Sequence, residues 1–171
     1  MKVLVAVASK HGATLEIGQV IEASIRSSGL DVELQRIEDV ATLSPYDAFV
    51  IGSGVYAGHW MRPAREFFEV HEGELKEKPV WLFSSGPVGD PPKPLENPAE
   101  VAACVKRIGA RGHRLFPGRI EGSDLGISEK ALVALVRAPD GDYRPWSEIA
   151  TWSESIAAQL QEGEAEADTG A

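Results

Sequence analysis

The stretch Val3-Leu4-Val5-Ala6-Val7-Ala8-Ser9-Lys10-His11-Gly12-Ala13-Thr14 decides how the chain is read. Its first half is an apolar run with β-branched residues and no polar interruption, the pattern of a strand covered on both faces in a parallel sheet. The run breaks into a small polar loop, after which apolar residues resume at helical spacing. Amide groups that open a helix have no intrahelical partner and lie at the positive end of its dipole, so a loop of this kind attracts a phosphate. Ser9 and Thr14 supply hydroxyls, Lys10 supplies charge, and Gly12 lets the backbone turn tightly around an anion. The same pattern also fits a strand, a polar loop and a capped helix with no ligand.

Outward from this stretch, strands and helices alternate. Ile17, Val20, Ile21, Ser24 and Ile25 share one helical face, and Gly29 follows where a glycine stops a helix. Asp31 to Ile37 alternates apolar with polar residues, as an edge strand does. Asp47 to Gly52 reads as a third, buried strand, and Pro63 opens a helix through Phe67 and Phe68 to Val70. Pro79 to Phe83 is a fourth strand, followed by Ser84-Ser85-Gly86-Pro87-Val88-Gly89. Asp90 to Pro98 is a proline-rich loop, and Ala99 to Ile108 is a helix carrying the single cysteine, Cys104, as a small core residue. His113 to Ile120 is a weaker strand, broken or placed at an edge by Pro117. Ser128 caps a helix with Ala131, Leu132, Leu135 and Val136, and a last helix buries Trp146, Ile149, Trp152, Ile156 and Leu160.

This order predicts an α/β fold with a doubly wound, five-stranded parallel sheet, strand order 2-1-3-4-5, and helices on both faces. In such sheets ligands bind beyond the carboxyl ends of the strands, where strand order reverses. The loops after Ala8, Gly52 and Phe83 therefore converge on one expected site. One domain is expected over residues 1–160, with 161–171 an acidic, disordered tail.

Length and charge bound the function. The chain has 171 residues, enough for one domain with a substantial core, and a formal net charge of -9. That acidity counts against a nucleic-acid footprint and against a polybasic membrane anchor. One cysteine cannot make an internal disulfide, which fits a reducing cytoplasm. The N-terminal apolar run breaks at Ser9 without a small-residue cleavage pattern, and no apolar stretch approaches the length of a membrane span. A cytoplasmic location is expected, with peripheral association with a membrane left open. No metal-ligand spacing or hydrolytic triad is evident, so the expected chemistry is that of a bound organic cofactor.

The first loop, Ser9-Lys10-His11-Gly12-Ala13-Thr14, resembles the S/T-x-T-G-x-T phosphate loop of flavodoxins, with His11 where that pattern has a hydroxyl residue. The resemblance implies bound FMN, its phosphate held by Ser9, Lys10, His11, Gly12, Ala13 and Thr14. The second loop contains a competing signal, since Gly52 to Ala57 satisfies G-x-G-x-x-A. It follows the third strand and opens no helix before Pro63, which disfavours a dinucleotide site. For a flavin ring, Gly54, Val55, Tyr56, Ala57, Gly58, His59 and Trp60 are candidates on one side. Tyr56, His59 or Trp60 would cover a face, unless these aromatics only close the top of the sheet. Ser84, Ser85, Gly86, Pro87, Val88 and Gly89 are candidates on the other side, though Ser-Gly-Pro is also ordinary turn chemistry.

Within that group the chain is similar to the menaquinone-dependent protoporphyrinogen oxidases. The likeness rests on Gly52-Ser53, on Gly58-His59-Trp60 and on Asp142-Tyr143-Arg144-Pro145-Trp146-Ser147-Glu148-Ile149, and it runs from Met1 to about Leu160. It implies an FMN-dependent oxidoreductase passing electrons from a porphyrinogen donor to a quinone acceptor, with His59 the candidate for proton handling or substrate orientation. The family's basic, aromatic insertion is reduced here to Glu121 through Asp140, whose only cations are Lys130 and Arg137. The alternative is a flavodoxin-type carrier that serves a redox partner protein and has no small-molecule substrate of its own.

Overall fold

The computed structural model describes residues 1–86, 99–121, 126, 130 and 140–169. Strand β1, Lys2–Ala8, buries every residue after the first. The two-residue period of a strand divides its apolar run between two cores: Val3, Val5 and Val7 face one, and Leu4, Ala6 and Ala8 the other. An apolar run with no alternation is thus what a central strand between two helical layers requires.

Helix α1, Ala13–Ser27, buries Ile17, Ile21 and Ile25 in the first core. It approaches the sheet closely because Gly18 has no side chain: a Cβ there would stand 2.8 Å from Val7 and 3.0 Å from Leu34. Strand β2, Asp31–Arg36, is the part-exposed edge, followed by a short 3-10 turn, Ile37–Asp39. Strand β3 is longer than the sequence suggests, running from Ala48 to Tyr56, and it turns back into the two-residue β4, His59–Trp60. Residues 54–60 are therefore a β-hairpin and not an open loop. Its turn residues, Ala57 and Gly58, both have positive φ, 51° and 81°, as a two-residue type I′ connection demands. Ala-Gly lacks the Asn-Gly signal that marks such turns, so local pattern alone conceals it.

Helix α2, Arg62–Lys76, starts with Pro63 in its first turn and runs well past Val70. Strand β5 spans Val80–Gly86 and helix α3 Ala99–Ile108, with Cys104 buried in the second core and its thiol pushed up to about 11 by desolvation. Strand β6, Gly112–Pro117, closes the sheet, and the chain breaks at Gly118 into β7, Arg119–Ile120. β7 pairs antiparallel with β8, Gly141–Asp142. The helix expected from Ser128 and the loop from Asp90 to Pro98 lie outside the described residues.

Helix α4, Trp146–Thr169, buries Ile149, Trp152, Ile156 and Leu160 against α1 and the sheet. Two expectations change here. Trp146 is not buried but 38% exposed, stacked on Arg144. The segment after Leu160, expected as a disordered tail, continues the helix to Thr169. Ala and Glu are strong helix formers, and the extension is tied down: Gln161 Nε2 donates to Ser28 O over 2.7 Å, and the chain's amino group pairs with Glu164 at 3.2 Å.

The five principal strands run parallel in the order β2-β1-β3-β5-β6, which is 2-1-3-4-5 once the antiparallel β4 is set aside. No described helix is long and apolar enough to cross a membrane.

Candidate functional site

Register brings the expected loops together. Ala8 pairs with Ser53, Ser53 with Ser84, and Gly54 with Ser85, so the carboxyl ends of β1, β3 and β5 lie side by side where the strand order reverses.

At the end of β1 the chain turns through Gly12, φ 84°, directly into α1, and among the described residues no side-chain cap is seen at the helix start. Amides in the first turn of a helix have no intrahelical partner and suit an external acceptor. Ser9 is 4% exposed, and its Oγ has no hydrogen-bond partner among the described residues. An orphaned buried hydroxyl is costly unless a ligand or water completes it. Arg36 Nη1 holds the loop's backbone at Ser9 O, 3.4 Å away. Thr14 is buried beside Gly54, where a Cβ would stand 3.2 Å from Thr14 Oγ1 and 2.9 Å from the Tyr56 ring. Glycine at 54 thus leaves a cradle between the first two loops that any side chain would fill.

Of the three aromatics in the hairpin, Tyr56 is the one that meets the first loop. Its ring lies edge-on to His11, with centroids 6.3 Å apart, and Lys10 Nζ stands 5.8 Å from its centre. Trp60 is instead withdrawn into the second core, 3% exposed and tilted on Phe68. Its Nε1 donates to Ser84 Oγ at 2.7 Å. His59 is exposed at the far side of the turn, with Nδ1 3.2 Å from Glu100 Oε2, while Trp60 N donates to the other oxygen of Glu100 at 2.6 Å. His59 and Trp60 therefore fasten the hairpin to the start of α3 and do not converge on the first loop. Val55 is half-buried, and Ala57 and Gly58 are exposed at the turn.

On β5, Ser84 is fully buried, accepting from Trp60 and lying 2.9 Å from His113 Nε2. Burial holds His113 down to about 4, so the ring is neutral near pH 7 and shares one hydrogen bond between Nε2 and the Ser84 hydroxyl. Ser85 and Gly86 are buried at the strand end, Gly86 O accepting from Gly118 N at 2.8 Å. Pro87, Val88 and Gly89 lie outside the described residues.

One residue near the first loop carries no chemistry in a motif-based reading. Arg144, whose side chain is 2% exposed, donates from Nη1 to Ala13 O at 3.0 Å and to Glu16 Oε2 at 2.7 Å. In the sequence, Tyr143-Arg144-Pro145-Trp146 carries a family likeness at the entry to the last helix, but nothing there points to a contact with the first loop. Among the described residues no group of His, Cys, Asp or Glu could hold a metal ion.

The Flavodoxin domain family model matches residues 4–145, a span that includes all three loops and Arg144. The chain belongs to the flavodoxin domain family. Solved structures that share its fold include three of particular use for comparison. One is a flavodoxin from the domain Archaea, with a TM-score of 0.65 and 19% identity, covering 94% of this chain and 99% of that one. The two-electron reduced Megasphaera elsdenii flavodoxin gives 0.62 and 22%, covering 91% and 98%. Rubredoxin oxygen:oxidoreductase of Desulfovibrio gigas gives 0.67 and 15% over 94% of this chain but only 36% of that one, so there the same fold is one part of a larger chain. No curated protein matches the chain in sequence. The match is to the flavodoxin domain as a whole; the finer likeness to protoporphyrinogen oxidases rests on the sequence motifs alone. The cofactor of a flavodoxin domain is FMN. The first loop fits its phosphate on three counts: an uncapped helix start, the orphaned Ser9 hydroxyl and the cradle at Gly54.

Proposed function

We propose that this flavodoxin domain binds FMN at the carboxyl ends of β1, β3 and β5 and works as an electron-transfer protein. The observation that carries the proposal is the buried, unpartnered Ser9 hydroxyl beside the uncapped start of α1. Bound there, FMN supplies reversible one- and two-electron redox chemistry. The chain's own residues do the holding. Ser9, Gly12, Ala13 and Thr14 offer hydroxyls and amides to the phosphate, with Lys10 and His11 beside them. Tyr56, whose ring meets His11 and Lys10 of the first loop, would lie between phosphate and ring. Ser85 and Gly86 would border the ring from β5. Ser84 is committed to Trp60 and His113, so its role is to brace that wall.

Calorimetric titration of the cofactor-free protein with FMN, FAD and riboflavin tests the reading. Expected is tight FMN binding, weaker FAD binding and much weaker riboflavin binding. Absence of FMN binding, or a clear preference for FAD, overturns it.

A second reading, an FMN-dependent oxidoreductase with a quinone acceptor and a porphyrinogen donor, draws on how acids near the loops are paired. Glu16, the acidic residue in the first turn of α1, is matched by Arg144 and Arg119. An acidic group so compensated repels a fully reduced, anionic flavin little, which favours two-electron use. Turnover of a soluble quinone by the reduced protein supports this reading; a stable one-electron stage without quinone turnover removes it.

A further inference from the structure

Arg144 sits in a group of paired charges behind the phosphate loop. Its guanidinium grips Asp142 with two prongs, Nε to Oδ1 at 2.7 Å and Nη2 to Oδ2 at 2.6 Å. Its remaining prong, Nη1, reaches Glu16 Oε2 and the carbonyl of Ala13. Arg119 takes the other oxygen of Glu16 at 3.2 Å and also lies 3.4 Å from Glu121. Trp146 closes the outer side, its ring centre 4.3 Å from Arg144 Cζ.

Glu16 lies in the first turn of α1, where a carboxylate complements the helix dipole and thereby competes with any anion bound at the same end. Left alone, it would repel a phosphate. A planar guanidinium suits its neutralisation, because one fork can hold Asp142 while the free edge serves both Glu16 and a backbone carbonyl. The Ala13 contact matters separately: it fixes the residue whose amide faces the phosphate in the FMN reading.

We propose that Arg144 is a positioning residue for the phosphate subsite, locking the first turn of α1 through Ala13 O and cancelling the charge of Glu16, without touching the phosphate itself. The proposal rests on the FMN reading above. It assigns to the Tyr143-Arg144-Pro145-Trp146 segment a role in selecting a phosphorylated flavin over an unphosphorylated one. Riboflavin has the ring and ribityl chain but no phosphate, so the ratio of FMN to riboflavin affinity isolates the effect from general loosening of the fold.

The test is calorimetric titration of wild type, Arg144→Met, Glu16→Gln and the double variant with FMN and with riboflavin. In Arg144→Met, FMN affinity falls by about tenfold or more while riboflavin affinity holds within about twofold. The double variant recovers part of the lost FMN affinity, because the unpaired carboxylate is gone. Glu16→Gln alone raises the FMN-to-riboflavin ratio by freeing positive charge, and it carries the test if Arg144→Met does not fold. Parallel weakening of both ligands, an unchanged ratio in folded Arg144→Met, or a lowered ratio in Glu16→Gln overturns the proposal. A wild-type protein that takes neither ligand, or does not prefer FMN, overturns the underlying FMN reading instead.

Discussion

Gly52 on β3 pairs with Phe83 on β5, and a Cβ at Gly52 would stand 2.0 Å from Phe83 Cζ, in overlap with the ring. The glycine is there so that the aromatic ring can lie flat across the neighbouring strand and reach Trp152 and Phe116 in the first core. What resembles the start of a dinucleotide fingerprint is a packing requirement.

Gly52→Ala is expected to lower stability by about 1–3 kcal/mol or more, since a close-packed interior takes up an added methyl only by forcing side chains off their rotamers. Urea unfolding should show a lower midpoint at unchanged slope. Stability equal to wild type would mean that Phe83 has another place to go.

Ala57 is the only described non-glycine residue with positive φ, in a turn whose first position favours Asn or Gly. Ala57→Asn is expected to raise stability by about 0.5–1 kcal/mol by relieving left-handed strain. A rise in Tm with unchanged FMN affinity is the outcome to look for. A fall in Tm would show that the turn does not depend on this residue's conformation.

Thr14 is buried at the start of α1, next to the cradle at Gly54. Thr14→Val keeps shape and removes the hydroxyl, so FMN binding should weaken by about 1.5–3 kcal/mol, the range of a charge-assisted hydrogen bond. That corresponds to roughly ten- to a hundredfold in Kd. Calorimetry alongside an unchanged circular-dichroism spectrum checks it. Equal affinity in a folded variant would put the phosphate elsewhere.

Burial of His113 lowers its pKa from 6.5 to about 4 in the folded protein. Between these values the unfolded chain binds the proton and the folded one does not, so stability rises with pH. The contribution of the neutral ring is fully present above pH 6.5 and is lost as pH falls toward 4. Wild-type Tm should therefore drop over this window more steeply than that of His113→Gln. Identical slopes in the two proteins would show that His113 does not couple folding to protonation.

The loop proposed to hold the phosphate could be singled out because its parts are contiguous. Ser9, Gly12 and Thr14 follow one strand and open one helix, and the chemistry of a helix start is local. The parallel sheet was legible for a similar reason: an apolar run without alternation, as in Val3 to Ala8, has no stable place except between two covered faces. The antiparallel hairpin was not legible, because Ala57-Gly58 carries no strong turn signal and the twist that brings β4 back onto β3 shows only in the pairing of Val55 with Trp60.

What the sequence by itself determined was the order of elements; it also singled out the end of the sheet and the loop that are proposed to hold a phosphate. Tertiary structure alone decided which side chains from distant segments complete that site. Tyr56 leans over the first loop while Trp60 is drawn into the core by Phe68 and Ser84, and His59 is turned toward Glu100. Arg144 reaches Ala13 across 131 positions of chain. Such contacts follow from strand register, from the direction of a hairpin and from where the last helix packs on the first. None of these leaves a mark in local periodicity, because periodicity records which face of an element is buried and not which residue lies against it.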